Sequence, residues 1–337
     1  MSAVTPARSG PPHGAPGAGP TTQPYRGPLP GGPGQQPYPP QGPPPAPYGP
    51  PPHGYRPGPP NALPPAAPRG MRPPPPPDLE RRPRPRHAPR RSGNPAVTVV
   101  VPTRNEARNL EVVLPKIAAV RPAVHEIIVV DGNSTDGTIE TARRTLPWVR
   151  CITQTRKGKG NAMACGFEAA TGDVIVMFDA DGSADPGEIP AFVSALIAGA
   201  DFAKGSRFAK GGGSEDITLL RKSGNAGLNT VANALFGTSY TDLCYGYNAF
   251  WADLVPMLEL PDPNIPQPED GTMIWGDGFE IETVLNCRIA AAGLKITEVP
   301  SIEKERMFGE TNLRTFADGT RVLRTLLSEH RRADKRK

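Results

Sequence analysis

The chain has 337 residues and a formal net charge of +5, with 46 prolines and 37 glycines. Thirty-four of these prolines fall in residues 1–95, where aliphatic side chains are almost absent, so this segment cannot bury a core. We predict a disordered Pro-, Gly- and Arg-rich tail at 1–95, a folded domain at 96–325 and a basic C-terminal tail at 326–337. No run approaches the roughly 18 apolar residues that a spanning helix needs, so no such helix is expected.

Charge divides the chain at the same place. The tail carries eleven arginines against Asp78 and Glu80, a net charge of +9, which leaves −4 for the remainder. Its densest stretch, RRPRPRHAPRR at 81–91, either contacts anionic lipid head groups or only keeps the tail soluble, and we predict no specific nucleic-acid partner. Because the N-terminus has no apolar signal segment, we expect a cytoplasmic protein, with peripheral contact at the inner face of the membrane as a further option.

From residue 96 onward, strand-length runs rich in Val and Ile alternate with segments of helical periodicity. This alternation predicts an α/β domain with a mostly parallel central sheet and helices on both faces. The predicted strands are 96–103, 125–132, 148–154, 173–178, 201–208, 245–251 and 294–301. The predicted helices are 109–120, 161–171, 187–199, 218–236 and 278–293.

Polar segments follow three of these strands: PTRNE at 102–106, DGNSTDGT at 131–138 and DADGSADP at 179–186. In parallel sheets ligands bind beyond the carboxyl ends of the strands, so all three segments are expected at one edge. The second segment is also typical of a simple turn, but Asp131 ends a buried strand and needs a partner such as a base or ribose.

The DAD triplet is the candidate metal site. Asp179 and Asp181 can present hard oxygen ligands to Mg²⁺ or Mn²⁺, which favour carboxylates combined with substrate phosphates. Asp185 and Pro186 are predicted to cap and begin the next helix instead.

Cationic side chains in loop contexts are the candidate anion ligands. RKGKGNAMACG at 156–166 does not match the phosphate-loop pattern, so its glycines are expected to ease the start of a helix, with Lys159 available to a diphosphate. Arg207, Arg221 and Arg306 are candidate phosphate ligands because guanidinium binds anions in bidentate fashion.

Taken together and in order, VVVPTRNEARNL, IIVVDGNSTDGT, DVIVMFDADGSADP, GSRF and GFEIE…GLKITEVP resemble family 2 inverting glycosyltransferases of the GT-A fold. Within that family the chain is similar to dolichyl- and polyprenyl-phosphate mannose and glucose synthases, over residues 96 to about 325. The resemblance implies a nucleotide-sugar donor such as GDP-mannose or UDP-glucose, a polyprenyl phosphate acceptor and Mg²⁺ or Mn²⁺.

The resemblance also implies roles for individual residues. Around the donor base and ribose it places Pro102, Arg104, Glu106 and Asp131. At the diphosphate and metal it places Asp179, Ala180 and Asp181, with Ser183 as a further metal contact. Facing the sugar phosphate and acceptor phosphate it places Arg207, Arg221 and Arg306, of which Arg207 joins Asp181 as catalytic.

The chain departs from the family pattern at four positions. Arg104 replaces a common Tyr, Gly132 replaces the second acid of an Asp pair, Ser183 replaces a larger polar residue, and Asn312 replaces a Lys.

Two questions stay open from the sequence. If the acceptor is a hydroxyl, Asp277 or Glu280 in WGDGFEIE could be the general base, yet either could instead cap or brace the following helix. The segment 312–337 is either an interfacial amphipathic helix or a helix packed on the domain.

The competing functions are hexosyl transfer to a soluble hydroxyl acceptor, nucleotidyl transfer, and a non-catalytic scaffold. A nucleotidyltransferase is disfavoured because a glycine- and arginine-rich first loop does not follow VTVVVPT. A scaffold is disfavoured because both aspartates and the arginines are present.

Overall fold

The computed structural model describes residues 91–215, 217–309 and 315–336, with only the backbone described at 315–317. These residues belong to one compact unit. The predicted tail lies outside the described residues except for 91–95, and the family-pattern positions Thr311 and Asn312 also lie outside them.

Nine strands form in the described residues. They are β1 (Val97–Thr103), β2 (Glu126–Asp131), β3 (Arg150–Thr153), β4 (Val174–Met177), β5 (Phe202–Ser206), β6 (Gly213–Ser214), β7 (Asn248–Trp251), β8 (Ile296–Pro300) and β9 (Ile302–Glu303). Each of the seven predicted strands therefore corresponds to an observed one.

Seven α-helices form in the same part of the chain. They are α1 (Ala107–Ala118), α2 (Thr138–Thr145), α3 (Lys159–Ala169), α4 (Ile189–Ile197), α5 (Leu219–Phe236), α6 (Ile281–Ala291) and α7 (Thr315–Asp334). Two 3₁₀ helices join them, Pro186–Glu188 and Ala252–Leu258. As predicted, Asp185 caps the first of these by accepting from the Gly187 amide at 2.9 Å, and Pro186 is its first residue.

The main sheet has the strand order β3-β2-β1-β4-β7-β5-β8. Strand β7 lies antiparallel to both of its neighbours, β4 and β5, and every other adjacent pair is parallel. The predicted mostly parallel α/β sheet is confirmed. Because β1, β2, β3 and β4 all run in one direction, their carboxyl ends meet at one edge.

The sheet is covered on both faces. Three consecutive residues of β1, Val99, Val100 and Val101, are fully buried although their side chains alternate between faces. Helix α3 packs on β1 and β2, and Gly166 permits this contact because a Cβ there would lie only 3.2 Å from Val130 Cγ2. The buried strands therefore hold their polar ends in fixed positions.

The folded domain begins before the predicted boundary at residue 96. Arg91 forms ion pairs with Asp201 and Asp253, and its guanidinium carbon lies 5.6 Å from the centre of the Trp251 ring. These contacts attach residues 91–95 to the domain, and the composition of the tail gave no sign of them.

The C-terminal helix resolves one of the open alternatives. Helix α7 packs on α5 and α6, with Leu326 and Glu329 buried, so it is a packed helix with an exposed face. The predicted boundary at residue 326 falls inside this helix. Among the helices that the structure describes, none is both long enough and apolar enough to cross a membrane.

Candidate active site

A cavity of about 1020 Å³ opens at the carboxyl ends of the parallel strands. Its walls include residues 102–106 after β1, Gly132 after β2, Gln154 after β3 and residues 179–181 after β4. The structure therefore brings the three polar segments together, as the parallel-sheet rule predicts. Arg207, Arg221 and Arg306 line the same cavity, so all three candidate arginines reach it.

Asp179 is held by a lysine that also contacts a glutamate. Lys159 Nζ lies 2.7 Å from Asp179 Oδ1 and 2.6 Å from Glu282 Oε1. Burial would lower the pKa of Lys159, but the two carboxylates outweigh that effect and hold the pKa above its usual value. Lys159 is therefore a fixed positive charge beside Asp179.

Asp181 is held by residues on both sides of it. Ser183 donates to Asp181 Oδ1 from its hydroxyl at 2.8 Å and from its amide at 3.1 Å, while Arg306 Nη1 donates to Oδ2 at 3.3 Å. Arg306 also forms an ion pair with Glu106. The Ser183 hydroxyl thus orients Asp181, a use that differs from the metal contact assigned to it from the sequence.

The turn after Asp181 requires a glycine. Gly182 has φ of +78°, and its Cα faces the Met307 side chain closely enough that a Cβ would overlap it. The Met307 amide donates to the Asp181 carbonyl at 3.1 Å and the Lys304 amide donates to the Ser183 carbonyl at 2.8 Å. The segment around Arg306 is thereby fixed against the DAD triplet.

The two aspartates fit a magnesium or manganese ion that is completed by substrate. Their side chains are 37% and 23% exposed; within the part of the chain that the structure describes, Asp179 pairs with Lys159 and Asp181 with Arg306. Within the described ranges no cluster of three or more His, Cys, Asp or Glu residues forms a metal cage. A pair of hard oxygen ligands with room for phosphate oxygens and water is the arrangement that Mg²⁺ prefers.

The glycine-rich segment before α3 is not a phosphate loop. The Gly160 amide donates to the Gly278 carbonyl at 3.2 Å, and the Asn161 amide donates to the Asp277 carbonyl at 3.1 Å. Because these donors are used, the first turn of α3 cannot offer them to a phosphate. Gly158 and Gly160 instead allow the backbone of residues 276–277 to approach closely. The Lys159 side chain lines the cavity, and its contact with a diphosphate stays a prediction.

Asp131 has the unmet hydrogen-bonding capacity that its position suggested. It is 5% exposed; Oδ2 accepts from the Ser134 amide at 3.1 Å, and Oδ1 has no partner within the described residues. Asp131 does not itself line the cavity, but Gln154, whose amide donates to the Asp131 carbonyl at 3.0 Å, does. Gln154 Nε2 donates to the Arg156 carbonyl at 2.6 Å. A Cβ at Gly132 would lie 3.2 Å from Gln154 Oε1, so the glycine leaves that acceptor uncovered. The sequence reading missed Gln154.

Arg207 lies on the wall but is already engaged by acids. Its Nε and Nη2 donate to the two oxygens of Asp242 at 2.7 and 2.9 Å, and Nη1 donates to Glu303 at 3.0 Å. Burial would lower the pKa of Arg207, but Asp242 and Glu303 raise it overall. The catalytic and phosphate-binding role assigned to Arg207 would require the guanidinium to leave Asp242 or Glu303.

Two further cationic side chains that line the cavity come from helices. Arg221 lies in the first turn of α5, where its amide donates to Thr218 Oγ1 at 3.3 Å. Arg321 on α7 also lines the cavity and pairs with Asp318 at 2.6 Å. The sequence placed Arg321 only within the helical segment 312–337, because nothing local indicates that this helix, α7, reaches the site.

The structure keeps Asp277 away from the cavity. This carboxylate is 1% exposed, and both of its oxygens accept from Arg156, at 2.6 and 2.9 Å. Glu280 is also inward-facing, and its Oε1 accepts from the amides of Gly276 and Gly278 at 2.9 and 3.2 Å. Both residues brace the start of α6, so the general-base assignment of Asp277 is wrong for this arrangement.

Glu282 is the acid of this segment that reaches the cavity. It lies in the first turn of α6, two residues beyond Glu280, and its partner is Lys159. The motif GFEIE contained it, but the sequence did not indicate which glutamate faces the site.

Comparisons with known proteins agree with this geometry. The family model described as Glycosyl transferase family 2 matches residues 98–255. Polyprenol monophosphomannose synthase of Mycolicibacterium smegmatis is 30% identical over 223 residues, which are 64% of this chain and 80% of that protein. Undecaprenyl-phosphate mannosyltransferase of Micrococcus luteus is 32% identical over 226 residues, 64% of this chain and 87% of that protein.

A solved structure supports the fold. The glucosyl-3-phosphoglycerate synthase of Mycobacterium tuberculosis superposes with a TM-score of 0.54 at 23% identity, over 70% of this chain and 80% of that one. The GT-A fold expected from the sequence is therefore confirmed. With relatives at 30% and 32% identity covered over most of their length, the chain belongs to glycosyl transferase family 2 and is a glycosyltransferase.

Proposed function

We propose that this enzyme transfers a hexose, with inversion, from a nucleotide-diphosphate sugar to a polyprenyl phosphate in a reaction that depends on Mg²⁺ or Mn²⁺. The observation that carries the proposal is the pairing of Asp179 with Lys159 and of Asp181 with Arg306 at the floor of one cavity. Two partly exposed carboxylates flanked by two cations suit a metal-bound diphosphate.

The donor would lie over the carboxyl ends of β1, β2 and β4. Asp131 Oδ1 is a buried acceptor that a base or ribose donor could satisfy. Asp131 itself does not line the cavity, but the next residue, Gly132, does, together with Pro102 and Arg104. Lys159 would contact the diphosphate. Asp179 and Asp181 would hold the metal ion, which when bound offsets the negative charge that develops on the leaving nucleoside diphosphate.

The acceptor side favours a group that is already anionic. A phosphate monoester attacks the anomeric carbon without losing a proton first, whereas a hydroxyl needs a general base within hydrogen-bond reach. Asp277 is buried against Arg156, and Glu282 is neutralised by Lys159. Arg221 and Arg321 are placed to meet the acceptor phosphate, which then attacks from the face opposite to the leaving group.

The cavity mouth also suits a lipid-linked acceptor. Leu219, Leu220 and Phe279 are 84%, 55% and 49% exposed; Phe279 lines the cavity, and the two leucines immediately precede Arg221 in α5. Exposed apolar side chains beside arginines fit the boundary between lipid head groups and acyl chains. We propose peripheral contact with a membrane through this mouth.

The names of the relatives support a lipid phosphate acceptor, since two of them act on polyprenol or undecaprenyl phosphate. A soluble acceptor is the second candidate. The solved relative was crystallised with Mn²⁺, uridine-diphosphate-glucose and phosphoglyceric acid. Glu282 would favour a hydroxyl acceptor if Lys159 moved away from it.

The proposal is tested by initial rates with one donor at a time, GDP-mannose or UDP-glucose, and three acceptors. Polyprenyl phosphate in vesicles is the expected acceptor, polyprenol is the matched lipid without phosphate, and 3-phosphoglycerate is the soluble alternative. We expect turnover with polyprenyl phosphate that EDTA removes and Mn²⁺ restores. Turnover with 3-phosphoglycerate alone would replace the proposal with the second candidate.

A further inference from the structure

Each of the two candidate metal ligands, Asp179 and Asp181, pairs with a cation that also contacts a second carboxylate. Lys159 bridges Asp179 and Glu282, and Arg306 bridges Asp181 and Glu106. Each cation thus contacts one aspartate of the DAD triplet and one glutamate from a different element. Four carboxylates and two cations leave a net charge of −2, which matches one divalent cation.

The Lys159–Glu282 pair is held by the backbone and does not depend on Asp179. Lys159 is the first residue of α3 and Glu282 lies in the first turn of α6. Two backbone hydrogen bonds tie these helix starts together, from Gly160 to Gly278 and from Asn161 to Asp277. Asp179 comes from β4, so its contact with Lys159 can change while the lysine and the glutamate stay in place.

All three charged groups converge on Gly246. A Cβ at this position would lie 3.3 Å from Asp179 Oδ2, 3.4 Å from Glu282 Oε1 and 3.6 Å from Lys159 Nζ. The side chains of Lys159 and Glu282 are 16% and 12% exposed, so neither is a mobile surface group. A divalent cation on Asp179 would meet the Lys159 ammonium at close range, and like charges there repel strongly.

We propose that Lys159 is the resident counterion of the metal-free enzyme and that Glu282 is a positioning residue. Glu282 holds the Lys159 ammonium when Asp179 turns to a divalent cation, and so keeps the lysine at the side of the cavity where the donor diphosphate would lie. This inference rests on the proposed function only in assigning Asp179 to the metal. It does not depend on the donor sugar or the acceptor.

The test is equilibrium binding of Mn²⁺ alone to the full chain, read from the electron paramagnetic resonance signal of free Mn²⁺. Lys159→Met removes the competing cation and is expected to tighten Mn²⁺ binding by about tenfold. Glu282→Gln leaves Asp179 as the sole partner of the lysine and is expected to weaken binding by about tenfold. Glu282→Asp should recover part of the loss.

The double variant Lys159→Met/Glu282→Gln shows whether Glu282 affects Mn²⁺ binding by positioning Lys159 or by its own negative charge. If Glu282 acts through the lysine, Glu282→Gln has no effect in the Lys159→Met background. If it acts only by its own negative charge, it weakens binding equally in both backgrounds, and that result would overturn the proposal. Unchanged Mn²⁺ affinity in Lys159→Met, including no binding by either protein, would overturn it as well.

Two controls complete the design. Glu168→Gln removes an exposed acid from the same helix, α3, and should leave Mn²⁺ binding unchanged. Thermal unfolding of each variant shows whether it is folded. Because nucleotide, lipid and sugar are absent, a failure of glycosyl transfer to polyprenyl phosphate would not alter these results, and the two failures are distinguishable.

Discussion

The proposed donor side of the cavity, at the carboxyl ends of β1, β2 and β4, and the proposed acceptor side, which carries Arg207, Arg221 and Arg321, are built differently. On the donor side, polar residues follow buried parallel strands directly, so the sheet fixes Asp179 and Asp181 at one edge. On the acceptor side, the cationic residues come from a loop and two helices, and Arg207 is engaged by Asp242 and Glu303. On the donor side, the position of an acid after a strand is enough to predict that it lines the cavity. On the acceptor side, the acid that pairs with each arginine determines whether that arginine can bind a phosphate.

The largest expected effect is on the donor side. Asp181→Asn should lower the rate of glycosyl transfer by roughly 10³-fold, because it removes a carboxylate from the charge-stabilising pair at the diphosphate. Asp185→Asn is the matched control, since Asp185 caps the neighbouring 3₁₀ helix and asparagine also caps. Steady-state rates at saturating Mn²⁺ check this. Equal rates for the two variants would show that Asp181 does not contribute to the reaction.

The Asp277→Asn variant tests whether Asp277 has a structural or a catalytic role. Arg156 would be left with a buried, unpaired charge, so we expect a loss of about 3–5 kcal/mol in the free energy of unfolding. Urea unfolding measures this, with the exposed Asp270→Asn in the same segment as control. If Asp277→Asn were as stable as the wild type but inactive, Asp277 would return as the general base.

On the acceptor side, we expect substitution of Arg221 to weaken acceptor binding and substitution of Arg207 to reduce stability. Arg221→Ala should raise the KM for polyprenyl phosphate by about tenfold with little change in melting temperature, because one charge-assisted contact is lost. Arg207→Ala should instead lower the melting temperature, because Asp242 is fully buried and would lose its ion-pair partner. Kinetics and thermal unfolding of both variants provide the check. A tenfold KM effect of Arg207→Ala without destabilisation would mean that it binds phosphate after all.

The cavity mouth can be tested apart from the chemistry. Leu219→Ser/Leu220→Ser should reduce partitioning onto polyprenyl-phosphate-containing vesicles by about tenfold, since the two partly inserted leucines together contribute roughly 1.4 kcal/mol of apolar transfer. Ile265→Ser is the matched control because Ile265 is 47% exposed and does not line the cavity. Vesicle co-sedimentation measures both. An equal reduction by Ile265→Ser would argue against docking through the mouth.

The smallest effect concerns a buried lysine in β5, on the acceptor side of the sheet. Burial lowers the pKa of Lys204 to about 8, and its ammonium donates to the carbonyls of Tyr245 and Gly205 at 2.7 and 3.1 Å. Between that pKa and the ordinary lysine value near 10.4, the unfolded chain binds the proton and the folded chain does not. Stability relative to Lys204→Met should therefore rise with pH above about 8, by roughly 1 kcal/mol per unit. A pH-independent difference in urea unfolding would contradict this.

The sheet and the donor side were predictable because they depend on local pattern. Runs of Val and Ile gave the strands, and the acids after β4 needed only the rule that parallel strands end at one edge. The segment WGDGFEIE shows where this reasoning stops. Which of its acids faces the cavity depends on Arg156, which is 121 residues away in sequence, and no local pattern reports that contact.

The same limit applies to the arginines. Arg207 was a sound candidate for anion binding until Asp242, 35 residues later, proved to hold its guanidinium. Arg321 joined the cavity because α7 packs on α5 and α6, which helical periodicity alone does not specify. From the sequence, Gly158 and Gly160 were compatible with a phosphate loop or with a helix start. The structure shows that glycine is needed at both positions because the backbone of residues 276–277 passes too close for a Cβ.

The central claim is tested most directly by mass spectrometry of the organic-phase product made by the purified chain. The reaction contains GDP-mannose or UDP-glucose, Mn²⁺ and vesicles with polyprenyl phosphate. The account predicts a polyprenyl monophosphate carrying one hexose, released by mild acid, missing with EDTA and nearly missing with Asp181→Asn. Hexose recovered only in water-soluble products, or an EDTA-insensitive lipid product, would contradict it.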